Sequence, residues 1–571
     1  MGTPGLEIVR FRKRYYSRYH RLDGYFEGLG AKIIASIPTD PKEYNKWLES
    51  MRAKYAARET SLERHVYTIR DGFQPDYSRF RIFETLPSEF PRLGNRAHYF
   101  YIINLDHEVL TMDYSIHWKL GNIPRQDELW LRAIVHSIYP NKDTISLDVC
   151  PEEHMTSPAL EYPKPNREIK YNFRVVSART HLVEARKVFV TFVMASTLIK
   201  YKDEITRFGM EWSPDSFPFR ELAFALVSIA SGQATFHSFP AQWCNPRTCE
   251  VSDCMLNHLP KSCGWLDKEW AGDSAPLLEF GSLSHRPGEP PGASPTETIY
   301  WLEDVLVSLA LVVDGEAITK AVTWGIKQGR ANFQVVVLSL LKAALAEVSF
   351  GDDEKPFVKV TNNIDLSPLR ADYCLSTHPR MRPELKPGMK IQHQLGDLMN
   401  TICTGTRQRL RSLFPGLAAL ANFFEVAASR RATSKSAGIL PPELYDMILD
   451  FVDYDTWKAC LLVSTVFRSR CLRKYRLDDR VRIVAGPFVR LQKGFHKERV
   501  VSFDFENMQT GEILPMMHDP RCYHTEEYNW MPVIGRDRKA LMLDNVIQFV
   551  PAGDVPVEAD SDDECMKSSG T

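Results

Sequence analysis

The 571-residue chain carries 71 basic and 72 acidic side chains, a net charge of −1, with 44% hydrophobic and 25% charged residues. At roughly 100–200 residues per domain it should hold several globular units, and so ordinary a composition excludes a fibrous or wholly disordered chain. Balanced charge argues against a chain-wide electrostatic grip on nucleic acid, and no apolar run approaches the roughly 20 residues that span a bilayer.

The longest apolar runs, Val188–Ile199 and Val335–Val348, contain polar residues and read as core helices. Met1–Leu6 lacks the basic-then-apolar layout of a secretory signal. The 11 cysteines are odd in number and too dilute for a disulfide scaffold. The expected compartment is the cytoplasm and/or the nucleus.

Leu6–Phe11 and Tyr15–His20 are β-prone runs at the start of an α+β module, residues 1–165. Gly28-Leu29-Gly30 lacks the third glycine of a dinucleotide fingerprint and should turn the chain into a helix. His20, Asp23 and Glu27 lie near it in sequence, and a surface cluster is the simpler reading. Asp40 before Pro41, with Glu43 three residues on, is a capping box. The helix it starts should run to about Arg70, with Tyr44, Trp47, Leu48 and Met51 on one face. Tyr99–Leu105 and Glu108–Asp113 predict a hairpin turning at Asp106-His107.

Residues 166–280 read as mainly helical and contain a cysteine cluster. Cys244, Cys249, Cys254 and Cys263 fall within 20 residues, with His237 and His258 nearby. Zinc takes four N or S ligands in a tetrahedron, and four residues between Cys244 and Cys249 suit it, whereas eight between Cys254 and Cys263 do not. A loop of reduced thiols packed beside Trp243 and Trp265 is the other reading.

Gly281–Pro295 is a Gly/Pro/Ser linker. In residues 296–435, a helical region, Ser294 with Pro295 should cap a first helix, Asp314 a second, and Asn332–Val348 should form a third. Between Thr361 and Ala437 stand 11 Lys and Arg against 5 Asp and Glu. Arg407, Arg409 and Arg411 would be its phosphate contacts, but no nucleic-acid motif accompanies them, and a solvated basic segment is the reading preferred.

Residues 436–480 read as a three-helix unit. Pro441 and Pro442 open a helix on which Leu444, Met447, Ile448 and Phe451 form one stripe. Asp453–Asp455 breaks it, and Asp455 or Thr456 caps the next helix, where Trp457, Cys460, Leu461 and Ser464 repeat the spacing. Cys471–Tyr475 closes the unit. The order Leu440-Pro441, Glu443-Leu444, Ile448-Leu449, then Cys460, Val463-Ser464 and Phe467-Arg468 resembles an F-box.

That resemblance covers about 40 of the 571 residues. It implies a three-helix fold docking on the Skp adaptor of cullin–RING ubiquitin ligases through Leu440, Pro441, Leu444, Ile448, Leu449, Trp457, Val463 and Phe467. The substrate is left unnamed. The box lies near the C-terminus, where the family more often has it first, and no leucine-rich, WD40 or kelch array follows. The opening Arg14–Gly30 is similar to a module of filamentous-fungal proteins, some with F-box-like segments.

A C-terminal extension (481–551) follows, then an acidic tail (552–571) whose Asp560–Glu564 is too polar to bury surface and is expected to be disordered from about Ala552. The fold class expected is therefore α+β. No P-loop, HExxH, GxSxG or EF-hand motif occurs, and no catalytic residue is nominated. The chain reads as a non-catalytic adaptor without membrane attachment; the rival is a fungal enzyme or structural protein in which the box helices only pack internally.

Metal analysis separates the two accounts of the cysteines. A zinc site gives about one equivalent per chain, lost in Cys249→Ser or Cys254→Ser, because a structural site needs all four ligands. Metal-free protein of unchanged thermal stability leaves the packing account.

Overall fold

The computed structural model describes residues 2–64, 97–156 and 164–240 apart from short gaps, then 292–369 apart from 352–353, 407–432, 439–491 and 499–511. It also describes short strands between 278 and 558. The fold is mixed α+β. Strands β1 (Gly5–Phe11), β2 (Arg14–His20), β3 (Tyr99–Asn104), β4 (Val109–Met112) and β5 (Ile116–Lys119) form a sheet of order β2-β1-β3-β4-β5, with β1 and β3 parallel.

The two-residue alternation of a strand sorts its side chains onto two faces. Val9, Phe11, Tyr16, Tyr101 and Ile103 form one core with Tyr44, Leu48 and Tyr55 of helix α1 (Pro41–Arg64). Leu6, Ile8, Tyr15, Phe100 and Ile102 join the principal core of the protein. The N-terminal module is thus joined to the body through core-facing side chains of β1, β2 and β3.

Asp40 caps α1 as expected, accepting from the N–H of Lys42 and of Glu43, both at 3.0 Å. The Glu43 carboxylate takes Lys46 at 2.8 Å. The hairpin turn is a clasp. Asp106 accepts from the Arg10 guanidinium at 2.6 Å and from the backbone N–H of Arg12, and Glu108 accepts from Tyr44 Oη at 2.9 Å. His20 meets Glu7 at 2.8 Å and Asp23 faces Lys32 at 3.9 Å, each acid with a separate partner.

The middle of the chain runs β6 (Asn172–Val176), α2 (Ala185–Lys200), α3 (Phe217–Ser231), β7 (Ile299–Leu302), β8 (Val305–Leu309), α4 (Gly315–Lys327), β9 (Phe333–Leu338), β10 (Lys342–Phe350), β11 (Pro356–Thr361) and α5 (Pro415–Arg431). The strands form a second sheet, β7-β8-β9-β10-β11-β6. Val307, Leu309, Val336 and Leu338 face the principal core, while Leu306, Val335 and Val337 pack beneath α4. Helices α2, α3 and α5 pack on one another between the sheets.

The described residues of 296–435 therefore mix strands with helices. Asp314 does cap α4, accepting from Ala317 N–H at 2.9 Å, but the expected first and third helices are strands. Phe333–Leu338 is buried at every position because both sheet faces are covered, and periodicity cannot tell such a run from a helix. Ser339 breaks it: its Oγ accepts from Lys342 N–H at 2.8 Å and turns the chain into β10.

The end of the expected linker is also fixed, and Ser294 caps no helix. Glu221 in α3 is fully buried. It accepts from Ser294 Oγ at 2.6 Å, Ser294 N–H at 3.0 Å and Ala293 N–H at 3.1 Å, while Arg220 donates to Ser294 Oγ and to Pro295 O, both at 2.8 Å. Gly292 lies against this carboxylate at φ +87°, where a Cβ would sit 2.4 Å from Glu221 Oε1.

Strands β12 (Val481–Leu491) and β13 (Arg499–Asn507) begin a C-terminal sheet in which Tyr528–Ile534 pairs with Thr235–Pro240, the strand leaving α3. Phe503 and Phe505 of β13 pack against Phe189 of α2. Within the tail expected to be disordered, Val557–Glu558 instead pairs with Val489–Arg490, since the strand edge offers backbone partners to its apolar residue. Asp560–Glu564 lies outside the described residues.

Burial pushes the Glu221 carboxyl from its ordinary 4.5 up to about 7, against the pull of its donors and of Arg220. A carboxyl that binds its proton more tightly when folded stabilises the fold most below the unfolded value, and that contribution is lost as pH rises through the folded one. The melting temperature of the wild type relative to Glu221→Gln should therefore fall between about pH 4.5 and 7. A constant difference across that window would contradict the assignment. Gly292→Ala should lower stability at every pH, by roughly 1–3 kcal/mol.

Candidate functional site: an uncovered apolar stripe

The three expected helices are α6 (Pro442–Phe451), α7 (Tyr454–Val463) and α8 (Thr465–Arg473). Pro442 stands where a helix has no partner for its N–H. Tyr445 Oη accepts from the N–H of Ile439 at 3.1 Å and of Leu440 at 3.4 Å, so one side chain holds the Leu-Pro lead-in against its own helix. Its ring meets Phe467 edge-on with centroids 5.0 Å apart. Asp453, rather than Asp455 or Thr456, caps α7, accepting from Thr456 N–H at 2.7 Å. Ser464 caps α8 through Phe467 N–H at 3.2 Å, so this helix begins before the expected Cys471.

One side of the unit is anchored to the body. Leu449, Trp457 and Cys471 enter the principal core. Trp457 stacks on Tyr454 and meets Tyr475 edge-on. Burial pushes the Cys471 thiol up to about 12, so it serves as an inert packing group. The C-terminal end of α6 is gripped by two arginines: Arg476 donates to Leu449 O and to Val452 O, and Arg482 bridges Asp450 and Glu506. At a helix C-terminus such cations also meet the negative end of the dipole.

The other side is exposed in graded fashion: Ile439 (94%), Phe451 (86%) and Met447 (53%) stand out to solvent, and Leu444, Leu440 and Ile448 keep about two-fifths of their surface exposed. Leu462 and Val463 at the end of α7 are exposed to a similar degree. The spacing 444, 447, 448, 451 puts these four on one face of α6, and Leu440 stands in the lead-in just before it. Isolated exposed leucines are ordinary, whereas several exposed apolar residues on one helix face make it the candidate site among the described residues.

The eight residues expected to contact a partner thus divide. Leu440, Pro441, Leu444, Ile448 and Val463 are exposed and Phe467 is half-buried, whereas Leu449 and Trp457 are buried and hold the unit in place. Met447 and Phe451 share the exposed face of α6, and Leu462 is exposed on α7; all three lie outside the expected set. Met447 and Phe451 were legible in the helical spacing, while Leu462 depends on where α7 ends.

Cys244, Cys249, Cys254 and Cys263 lie outside the described residues. Among the described residues no cluster of His, Cys, Asp and Glu could hold a metal ion, and no helix is long and apolar enough to cross a membrane. Two of the basic-segment arginines make structural contacts: Arg407 donates to Val183 O and Gly486 O, and Arg411 meets His181 Nδ1. Comparison with protein-family models, curated proteins and solved structures finds no match.

Stability should respond oppositely on the two sides. Met447→Asp and Phe451→Asp, at the most exposed apolar positions of α6, should change unfolding free energy by less than about 1 kcal/mol. Trp457→Ala should cost roughly 3–5 kcal/mol. Urea denaturation checks both, and a large loss in either aspartate variant would mean the stripe is covered.

Proposed function

We propose that this protein is an F-box-like adaptor that binds Skp through the α6 stripe and so joins a cullin–RING ubiquitin ligase. The observation that carries this reading is the division of α6: Tyr445 and Leu449 are buried, while Leu440, Leu444, Met447, Ile448 and Phe451 are exposed. If the box helices served only internal packing, this stripe would be the part to bury. The neighbouring β12 instead reaches the helix end through the Arg482–Asp450 bridge and leaves the stripe free.

On this reading the protein carries out no bond chemistry. It holds a substrate beside a ubiquitin-loaded enzyme and raises the effective concentration of a substrate lysine. The N-terminal and central sheets, rigidly joined to the box through the principal core, would present that substrate in the cytoplasm or nucleus. Leu440, Leu444, Met447, Ile448, Phe451 and Val463 would be the Skp contacts, with Pro441 fixing the entry of the chain.

The test is titration of the full-length protein with purified Skp, followed by addition of cullin. Leu444→Asp, and separately Leu440→Asp with Pro441→Ala, should weaken Skp binding at least about 100-fold, because a charge placed in a desolvated apolar contact costs several kcal/mol. Circular dichroism should stay unchanged. An unmodified protein that fails to bind Skp, or variants that bind as tightly as wild type, would refute the adaptor reading.

A further inference from the structure

A cavity of about 350 Å³ lies on the body side of the three-helix unit, away from the α6 stripe, lined among others by Glu425, Ser429, Thr465, Arg468, Ser469 and Arg473. Its walls come from distant segments. Thr465, Arg468, Ser469 and Arg473 lie on one face of α8, Glu425 and Ser429 on α5, and Glu184 stands just before α2 without capping it. Thr465, Ser469, Arg473 and Ser429 are exposed, so the cavity opens to solvent.

Its floor is charged and poorly compensated. Arg468 and Arg186 are both more than nine-tenths buried and share one carboxylate, Glu425. Arg186 is in direct contact with it and also lies over the Tyr475 ring, 5.7 Å from its centroid. Arg468 stands 3.8 Å from Glu425 Oε1, makes one long bond of 3.5 Å to Leu461 O, and its buried Nε–H has no acceptor. A buried guanidinium is ordinarily matched by acceptors on most of its N–H groups.

The charges can be counted. The lining itself carries two acids, Glu184 and Glu425, and two cations, Arg468 and Arg473; outside the lining Arg186 pairs with Glu425 and Lys187 takes Glu184 at 3.3 Å. Two acids against four cations leave two positive charges. Arg431 does not add to them, being matched by Glu303 at 2.8 Å.

We propose that this cavity binds a small phosphate ester, its phosphoryl group seated between Arg468 and Arg473. A phosphate monoester carries close to two negative charges at neutral pH, the surplus counted here, and offers several acceptors to guanidinium and hydroxyl donors. The volume exceeds what a bare phosphate fills and falls at the lower end of small-molecule sites. Leu472 adds an apolar wall for the organic part. The site is independent of Skp docking, so either can fail alone.

Calorimetric titration of the full-length protein at fixed ionic strength and pH 7.5 tests this, with inorganic phosphate, glycerol 3-phosphate and acetate as probes. Phosphate and the ester should bind saturably at one site per chain, acetate at least tenfold more weakly. Tighter binding of the ester identifies an organic phosphate as the occupant, and equal affinity identifies free phosphate. Arg473→Ala and Ser429→Ala, at exposed positions, should each weaken binding at least fivefold without changing the melting temperature. Arg468→Lys, which keeps the charge and loses the fork, should weaken it likewise. Absence of saturable binding, acetate binding as tightly as phosphate, or unchanged affinity in Arg473→Ala would overturn the proposal.

Discussion

Burial of the central helices α2, α3 and α5 is the constraint around which the rest of the structure is arranged. In α3 every residue from Phe217 to Ala230 is buried, including Arg220 and Glu221, and in α2 every described residue from Val188 onward is buried. Helices that are apolar all round must be covered all round. The first sheet supplies Leu6, Ile8 and Phe100, the second Val307, Val336 and Leu338, the C-terminal hairpin Phe503 and Phe505, and the box helices Leu449, Trp457 and Cys471. Each sheet can serve because strand alternation leaves its second face for an outer layer, α1 over the first and α4 over the second.

Polar groups caught in this core are organised rather than excluded. Glu221 and Arg220 would be costly alone, yet together they satisfy the backbone at Ala293–Pro295 and tie the start of the second sheet to the helical layer. The same economy explains the three-helix unit. About 40 residues cannot bury a sufficient core alone, so it leans on the body through one face and through Arg476 and Arg482. Its remaining face is left partly exposed by the described residues. Taking a large apolar side chain from water to full burial gains about 1.5–3 kcal/mol, and Ile439 and Phe451 have most of that still to gain.

Local signals in the sequence were read well, and long-range ones were not. Strands β1 and β2, the hairpin of β3 and β4, and the caps at Asp40 and Asp314 rest on neighbours within a few residues, so pattern sufficed. The stripe on α6 was legible for the same reason. The failures share a cause: Phe333–Leu338 and Ile299–Leu302 owe their form to partners elsewhere in the second sheet, and a strand buried on both faces has no alternation to read. Ser294 looked like a cap because the acceptor that actually holds it, Glu221, lies 73 residues away. The division of the eight expected contacts could not be foreseen either, since Leu449 and Ile448 are adjacent and chemically alike, and only the placement of β12 and the central helices decides which one is covered.

The account rests on α6 being anchored by one face and exposed on the other, the face proposed for Skp. Radical footprinting of the full-length protein, read by mass spectrometry with and without Skp, tests both halves together. The account predicts rapid labelling of Met447 and Phe451 in the free protein, slow labelling of Trp457, and suppression at Met447 and Phe451 alone when Skp is added. Slow labelling of Met447 in the free protein would mean the chain covers its own stripe, and labelling unaffected by Skp would mean that the surface serves something else.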